Sequence, residues 1–144
     1  MYTFRHPDPA EWDVLLPQIS ALHAPGARKD IPDPQAEAQS LLLMYAQQLP
    51  VGCIQYSLRG DAVRLERIAL DDTQEHPLLL YHALRHLLAL LPPEILYLED
   101  YVDKQRTHAI QVNEKLGMTA VGENADGTHL LMRAALDSVR RTLN

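Results

Sequence analysis

Ala109-Ile110-Gln111-Val112-Asn113-Glu114-Lys115-Leu116-Gly117-Met118 lies between a run that reads as a strand, Ile95 to Tyr101, and two more strand-like runs near the C-terminus. The segment predicts a helix over Gln105 to Leu116, closed by Gly117 at the position after the cap, where the chain turns left-handed and glycine carries no steric cost. Thr119 to Glu123 and His129 to Ala134 then flank an Asn124-Ala125-Asp126-Gly127 turn. Upstream, Pro77 to Leu91 is so rich in leucine that only Tyr81, His82, Arg85, His86 and Ala89 define a wet side, and Pro92-Pro93 ends that helix. A strand, a helix and a strand from Leu65 to Tyr101 predict a right-handed crossover with two parallel strands.

Further toward the N-terminus, Leu41 to Tyr45 and Val51 to Leu58 read as a hairpin across Gln47-Gln48-Leu49-Pro50. Arg59-Gly60-Asp61 makes the next turn. Ala62 to Leu70 mixes polar and apolar residues without clean alternation, as a central strand partly covered on both faces does. Tyr2 to Arg5 forms a short first strand, and Asp8-Pro9 opens a helix with Trp12, Leu15, Leu16, Ile19 and Leu22 at helical spacing, ending near His23. Three prolines and a glycine make Ala24 to Pro34 a surface loop on the substrate side, with a short helix over Gln35 to Gln39 after it. The expected fold is α/β: a central mixed sheet of about six to seven strands, mostly antiparallel with one parallel splayed pair, and helices on both faces. Residues 1–144 make one domain.

Apolar residues make up 47% of the 144 and charged residues 22%, so the chain has the composition of a folded globular protein. A formal charge of -6 and no basic cluster larger than Arg140-Arg141 exclude a nucleic-acid footprint. The single cysteine, Cys53, precludes an internal disulfide and reads as a buried, inert thiol. Neither a signal peptide nor a membrane span is legible, so the sequence points to a cytoplasmic protein without membrane contact.

Element order and local residues resemble the GNAT family of acetyl-CoA-dependent N-acyltransferases over about Leu41 to Leu136. Pro50-Val51-Gly52-Cys53-Ile54 is similar to the family's hairpin into its third strand, where a Val-Gly pair is habitual. Leu65-Glu66-Arg67-Ile68-Ala69-Leu70 resembles its fourth strand, which leads into the cofactor loop. Ala109 to Met118 resembles the late Ala-Ile-x-x-Tyr-Glu-Lys-Leu-Gly-Phe segment, and its placement between a strand and a final hairpin makes it the most specific of the three.

The resemblance implies transfer of an acetyl or other acyl group from a coenzyme A thioester to the amine of a small molecule or peptide. It assigns the pantetheine arm to the backbone of Ile68, Ala69 and Leu70, and the general base to Glu66. A strand carboxylate paired with Arg64 or Arg67 is the structural alternative for Glu66. In the family a loop of pattern Arg/Gln-x-x-Gly-x-Gly/Ala binds the pyrophosphate through backbone N–H groups. The corresponding residues here run Asp71-Asp72-Thr73-Gln74-Glu75-His76-Pro77-Leu78-Leu79-Leu80. Glu75 takes the basic or amide position, and Leu78 and Leu80 take the small ones. A shift of one residue offers Gln74 but puts Pro77 and Leu79 in the glycine places. Pro77 removes a donor, the leucines crowd the backbone, and only His76 offsets Asp71, Asp72 and Glu75.

The family's leaving-group acid is a tyrosine in the late helix; Asn113 stands there, and an amide donates no proton at neutral pH. Tyr81, Tyr97 and Tyr101 are substitutes only where geometry brings one close. Arg106 occupies the place of a cofactor-contacting asparagine. His82 and His86 stand four apart on one helix face, but with Arg85 beside them and no third ligand in the sequence they read as exposed side chains rather than a metal pair. Two functions remain: the acyltransferase, and a GNAT-fold binding or homodimerisation module that has lost catalysis.

Overall fold

The structure, a computed structural model, describes residues 2–20, 39–71 and 78–144. Its elements in chain order are β1 (Tyr2–Arg5), a 3-10 turn (Pro9–Glu11), α1 (Trp12–Ser20), β2 (Gln39–Ala46), β3 (Leu49–Arg59), β4 (Ala62–Leu70), α2 (Leu79–Leu90), β5 (Tyr97–Asp103), α3 (Thr107–Lys115), β6 (Thr119–Glu123), β7 (His129–Ala135) and α4 (Leu136–Leu143). The strands form one seven-stranded sheet in the order β1-β2-β3-β4-β5-β7-β6, with β4 and β5 parallel and the other pairs antiparallel. The chain divides into two compact units, Met1–Ser57 with Glu66–Ala89, and Leu58–Leu65 with Leu90–Asn144. Among the described residues no helix is long and apolar enough to cross a membrane.

In the first unit α1 buries Trp12, Leu15 and Ile19, three positions on one helical face, against Leu41 and Leu43 of β2, Cys53 of β3 and Ala69 of β4. Leu42 and Met44 point the other way, as the two-residue period of a strand requires. Phe4 pairs with Met44 in the β1–β2 register and stacks on His86 of α2 at 4.1 Å, so α1 and α2 cover opposite faces of these strands. Tyr2 meets His82 in the same way at 5.1 Å. The two histidines are therefore half-buried packing residues of the α2–β1 contact, not the exposed side chains expected from their spacing.

The β2–β3 turn is tighter than the sequence suggests: Leu49 and Pro50 pair with Ala46 and Tyr45, leaving only Gln47 and Gln48 to reverse the chain. Gln47 takes a φ of 58°, which a two-residue hairpin turn demands. The helix expected over Gln35 to Gln39 lies outside the described residues except for Gln39, which begins β2, and the loop Ala24 to Pro34 lies wholly outside them.

In the second unit the parallel register runs from Ala62↔Tyr97 to Leu65↔Asp100, and β5 pairs with β7 from Tyr97↔Ala135 to Asp103↔His129. The end of α3 is a Schellman motif. Met118 N–H donates to Asn113 O at 3.0 Å and Gly117 N–H to Glu114 O at 3.0 Å, with Gly117 at φ +92°. This is the termination that Glu114-Lys115-Leu116-Gly117 predicts. The sequence reading stops at β7, whereas the chain continues as α4 with Leu136, Val139 and Leu143 buried.

Candidate functional site

Glu66 lies on β4 in the first unit, and its Oε1 accepts a 2.5 Å hydrogen bond from Ser57 Oγ of β3. One residue on, Arg67 Nη1 donates to Gln55 Oε1 at 3.2 Å. Gln55 and Ser57 project from one face of β3, yet their partners on β4 are consecutive residues, which regular alternation sends to opposite faces. Both charged side chains nonetheless reach the face that carries Gln55 and Ser57. Of the two arginines expected as partners for Glu66, Arg64 pairs with Glu99 at 3.0 Å, and Arg67 is held by Gln55.

Farther along β4, Ile68 and Ala69 are buried and Leu70 is half-buried. Gly52 explains how β3 fits against this stretch: a Cβ there would stand 2.8 Å from Met44 Cε, 2.9 Å from Leu70 Cδ2 and 3.1 Å from the Ala69 carbonyl oxygen. The Val51-Gly52 pair thus has a steric cause. After Asp71, Glu75 and His76 lie outside the described residues, as do Asp72, Thr73, Gln74 and Pro77. Leu78 is described, and its backbone is left-handed with φ 61°, while 62% of the residue is exposed. A bulky side chain rarely adopts this conformation, which glycine enters at no steric cost. Its carbonyl accepts from His82 N–H at 3.1 Å, so α2 grows from it; Leu79 is buried and Leu80 half-buried.

The second unit holds the other two residues. Arg106 precedes α3 and makes no side-chain cap; its N–H donates to Asp103 O at 2.9 Å and its carbonyl starts the helix by accepting from Ile110. Asn113 is buried, and its Nδ2 donates to Asp100 Oδ2 at 3.2 Å and lies 3.8 Å from Met132 Sδ. This amide supports a carboxylate that is itself only 2% exposed. Sequence reasoning misses Asp100, whose signal is the acidic pair Glu99-Asp100 set between apolar and aromatic residues.

Glu99, its neighbour, bonds Arg64 at 3.0 Å and lies 3.5 Å from Arg133. Arg133 sits 3.8 Å over the Tyr97 ring and Arg64 5.1 Å over the Tyr101 ring, so both tyrosines serve as platforms for guanidinium groups. A cavity of about 520 Å³ in this unit, lined by Ile95, Leu96, Leu136 and Arg140 among others, touches neither Arg106 nor Asn113.

No protein-family model and no curated protein matches this sequence. Solved structures do. An acetyltransferase from Thermus thermophilus superposes with a TM-score of 0.74 at 15% identity, over 94% of this chain and 97% of that one. The ribosomal-protein-S18-alanine N-acetyltransferase of Escherichia coli gives 0.68 at 17% identity over 94% of each chain. An aminoglycoside acetyltransferase solved with coenzyme A gives 0.70 at 20% identity over 100% of both. Identities this low show the fold alone, and that fold is the one shared by GNAT acetyltransferases.

Proposed function

We propose that the chain is a GNAT-type N-acyltransferase that moves an acetyl or other acyl group from a coenzyme A thioester to an amine of a small molecule or peptide. The observation that carries this reading is the fold likeness to acetyltransferases along at least 94% of the chain, one of them holding coenzyme A. The strand offered to the pantetheine arm is that of Ile68, Ala69 and Leu70, of which Ile68 and Ala69 are buried and Leu70 is half-buried. The phosphate end fits less well. Leu78 keeps the left-handed backbone that glycine favours but adds a side chain where a phosphate needs close approach. Leu80, Glu75, His76 and Arg106 are the remaining phosphate-side residues of this assignment.

In this scheme the donor supplies an activated acyl group. Glu66 removes a proton from the acceptor ammonium and passes it to solvent, the amine nitrogen bonds the acyl carbon and gives its second proton to the freed Glu66, and the carbon–sulfur bond breaks. Solvent protonates the departing thiolate, because Asn113 has no proton to give. General acid catalysis contributes about 10²- to 10⁴-fold, so the turnover is that of an enzyme working without this assistance.

Replacing the base tests the scheme. Glu66→Gln keeps the shape of the side chain and is expected to slow amine acetylation by about 10²-fold while stabilisation by acetyl-CoA persists. An unchanged rate removes Glu66 from the reaction.

A second reading, a GNAT-fold binding or homodimerisation module without catalysis, is favoured by one observation. The amide at the family's acid position is engaged with a buried carboxylate and serves packing. A stable dimer by light scattering that ignores acetyl-CoA is the result this reading expects.

A further inference from the structure

Buried polar side chains are costly unless something is gained by placing them, and β3 carries two in alternate positions, Gln55 at 1% exposure and Ser57 at 3%. Both reach across to consecutive charged residues of β4, Ser57 to Glu66 and Gln55 to Arg67. A glutamate side chain has three rotatable bonds to restrain. We propose that Ser57 is a positioning residue for the Glu66 carboxylate, and that Gln55 keeps the adjacent guanidinium of Arg67 in a fixed place beside it. This rests on the acyl-transfer reading above.

The chemistry matches the task. A hydroxyl donating to a carboxylate oxygen at 2.5 Å makes a strong charge-assisted bond that fixes the carboxylate plane. Ser57 lies on a strand and is only 3% exposed, so the orientation is set before the acceptor arrives. Preorganisation of this kind raises the rate of the chemical step without altering how tightly the donor binds. Ser57 touches no reacting atom; it acts through Glu66.

The test uses the full chain with Ser57→Ala and Ser57→Thr. Structures of both variants report where the carboxylate lies. Thiol release from acetyl-CoA, with kanamycin and a peptide beginning in alanine as amine probes, reports turnover. In Ser57→Ala, Glu66 is expected to leave its observed place and kcat to fall at least about tenfold, with KM for acetyl-CoA unchanged; threonine, which retains the hydroxyl, restores both. A carboxylate that stays in place in Ser57→Ala, or a kcat that does not fall, overturns the positioning role. Wild-type protein that neither gains stability from acetyl-CoA nor releases thiol overturns the acyl-transfer reading instead, even where the structures show that Ser57 fixes Glu66.

Discussion

Leu78 and Asn113 depart most plainly from what the family resemblance leads one to expect. Leu78 holds a glycine-like backbone, and a side chain in the left-handed region costs about 1–2 kcal/mol, part of which glycine returns as unfolded-chain entropy. Because the side chain is largely exposed, little burial is lost on removing it. Leu78→Gly is therefore expected to raise stability by up to about 1 kcal/mol, read as a higher denaturant midpoint with an unchanged slope. A lower midpoint means that the leucine contributes more than its conformation costs. Asn113 works in the opposite sense: Asn113→Ala strips a donor from a carboxylate that is 2% exposed and should cost about 1–3 kcal/mol in urea unfolding. An unchanged midpoint would show Asp100 satisfied by its other surroundings. From the sequence, that Asn113 is not a tyrosine was plain, but its partner was not, because Asp100 is thirteen residues away on another element.

Packing of one element on another sets two further expectations. Strand β3 approaches β4 closely at Gly52, where an added methyl would meet Met44, Leu70 and the Ala69 carbonyl. The two side-chain tips can yield, but the carbonyl cannot, so Gly52→Ala should destabilise by about 1–3 kcal/mol in thermal or urea unfolding; a neutral result would mean that β3 shifts freely. Helix α2 lies on β1 through the Phe4–His86 stack. Burial, and then the nearby His6, hold the His86 imidazole below its ordinary value. The unfolded chain consequently binds that proton more readily than the folded one. This contribution to stability is complete above about pH 6.5 and is lost as the pH falls through the depressed folded value. His86→Phe keeps a ring on Phe4 and should flatten the slope of stability below about pH 6.5; an identical slope would assign it to other groups. Helical spacing revealed α2 and its leucines, yet not what its histidines face, since periodicity carries no information about the neighbouring element.

At the scale of the whole molecule, the fold likeness makes its own demand. If the donor binds, acetyl-CoA at a hundredfold excess over its dissociation constant should stabilise the chain by about 2.7 kcal/mol, several degrees in a thermal-shift titration. No shift at millimolar acetyl-CoA would leave the fold intact and take away the proposed function. By itself the sequence determined the order of strands and helices, the parallel crossover, the Gly117 termination of α3 and the absence of glycines from residues 71–80. Each of these is written in local chemistry: apolar period, turn residues and the steric freedom of glycine. Helix α4 escaped that reading because its pattern, Leu136, Val139 and Leu143 among charged residues, is short and directly continues a strand. Only the tertiary structure decided that Glu66 is held by Ser57, that Arg64 and Arg67 are engaged by Glu99 and Gln55, and that Asn113 supports Asp100. Those pairings join residues on different elements, and neither composition nor spacing encodes the register that brings them together.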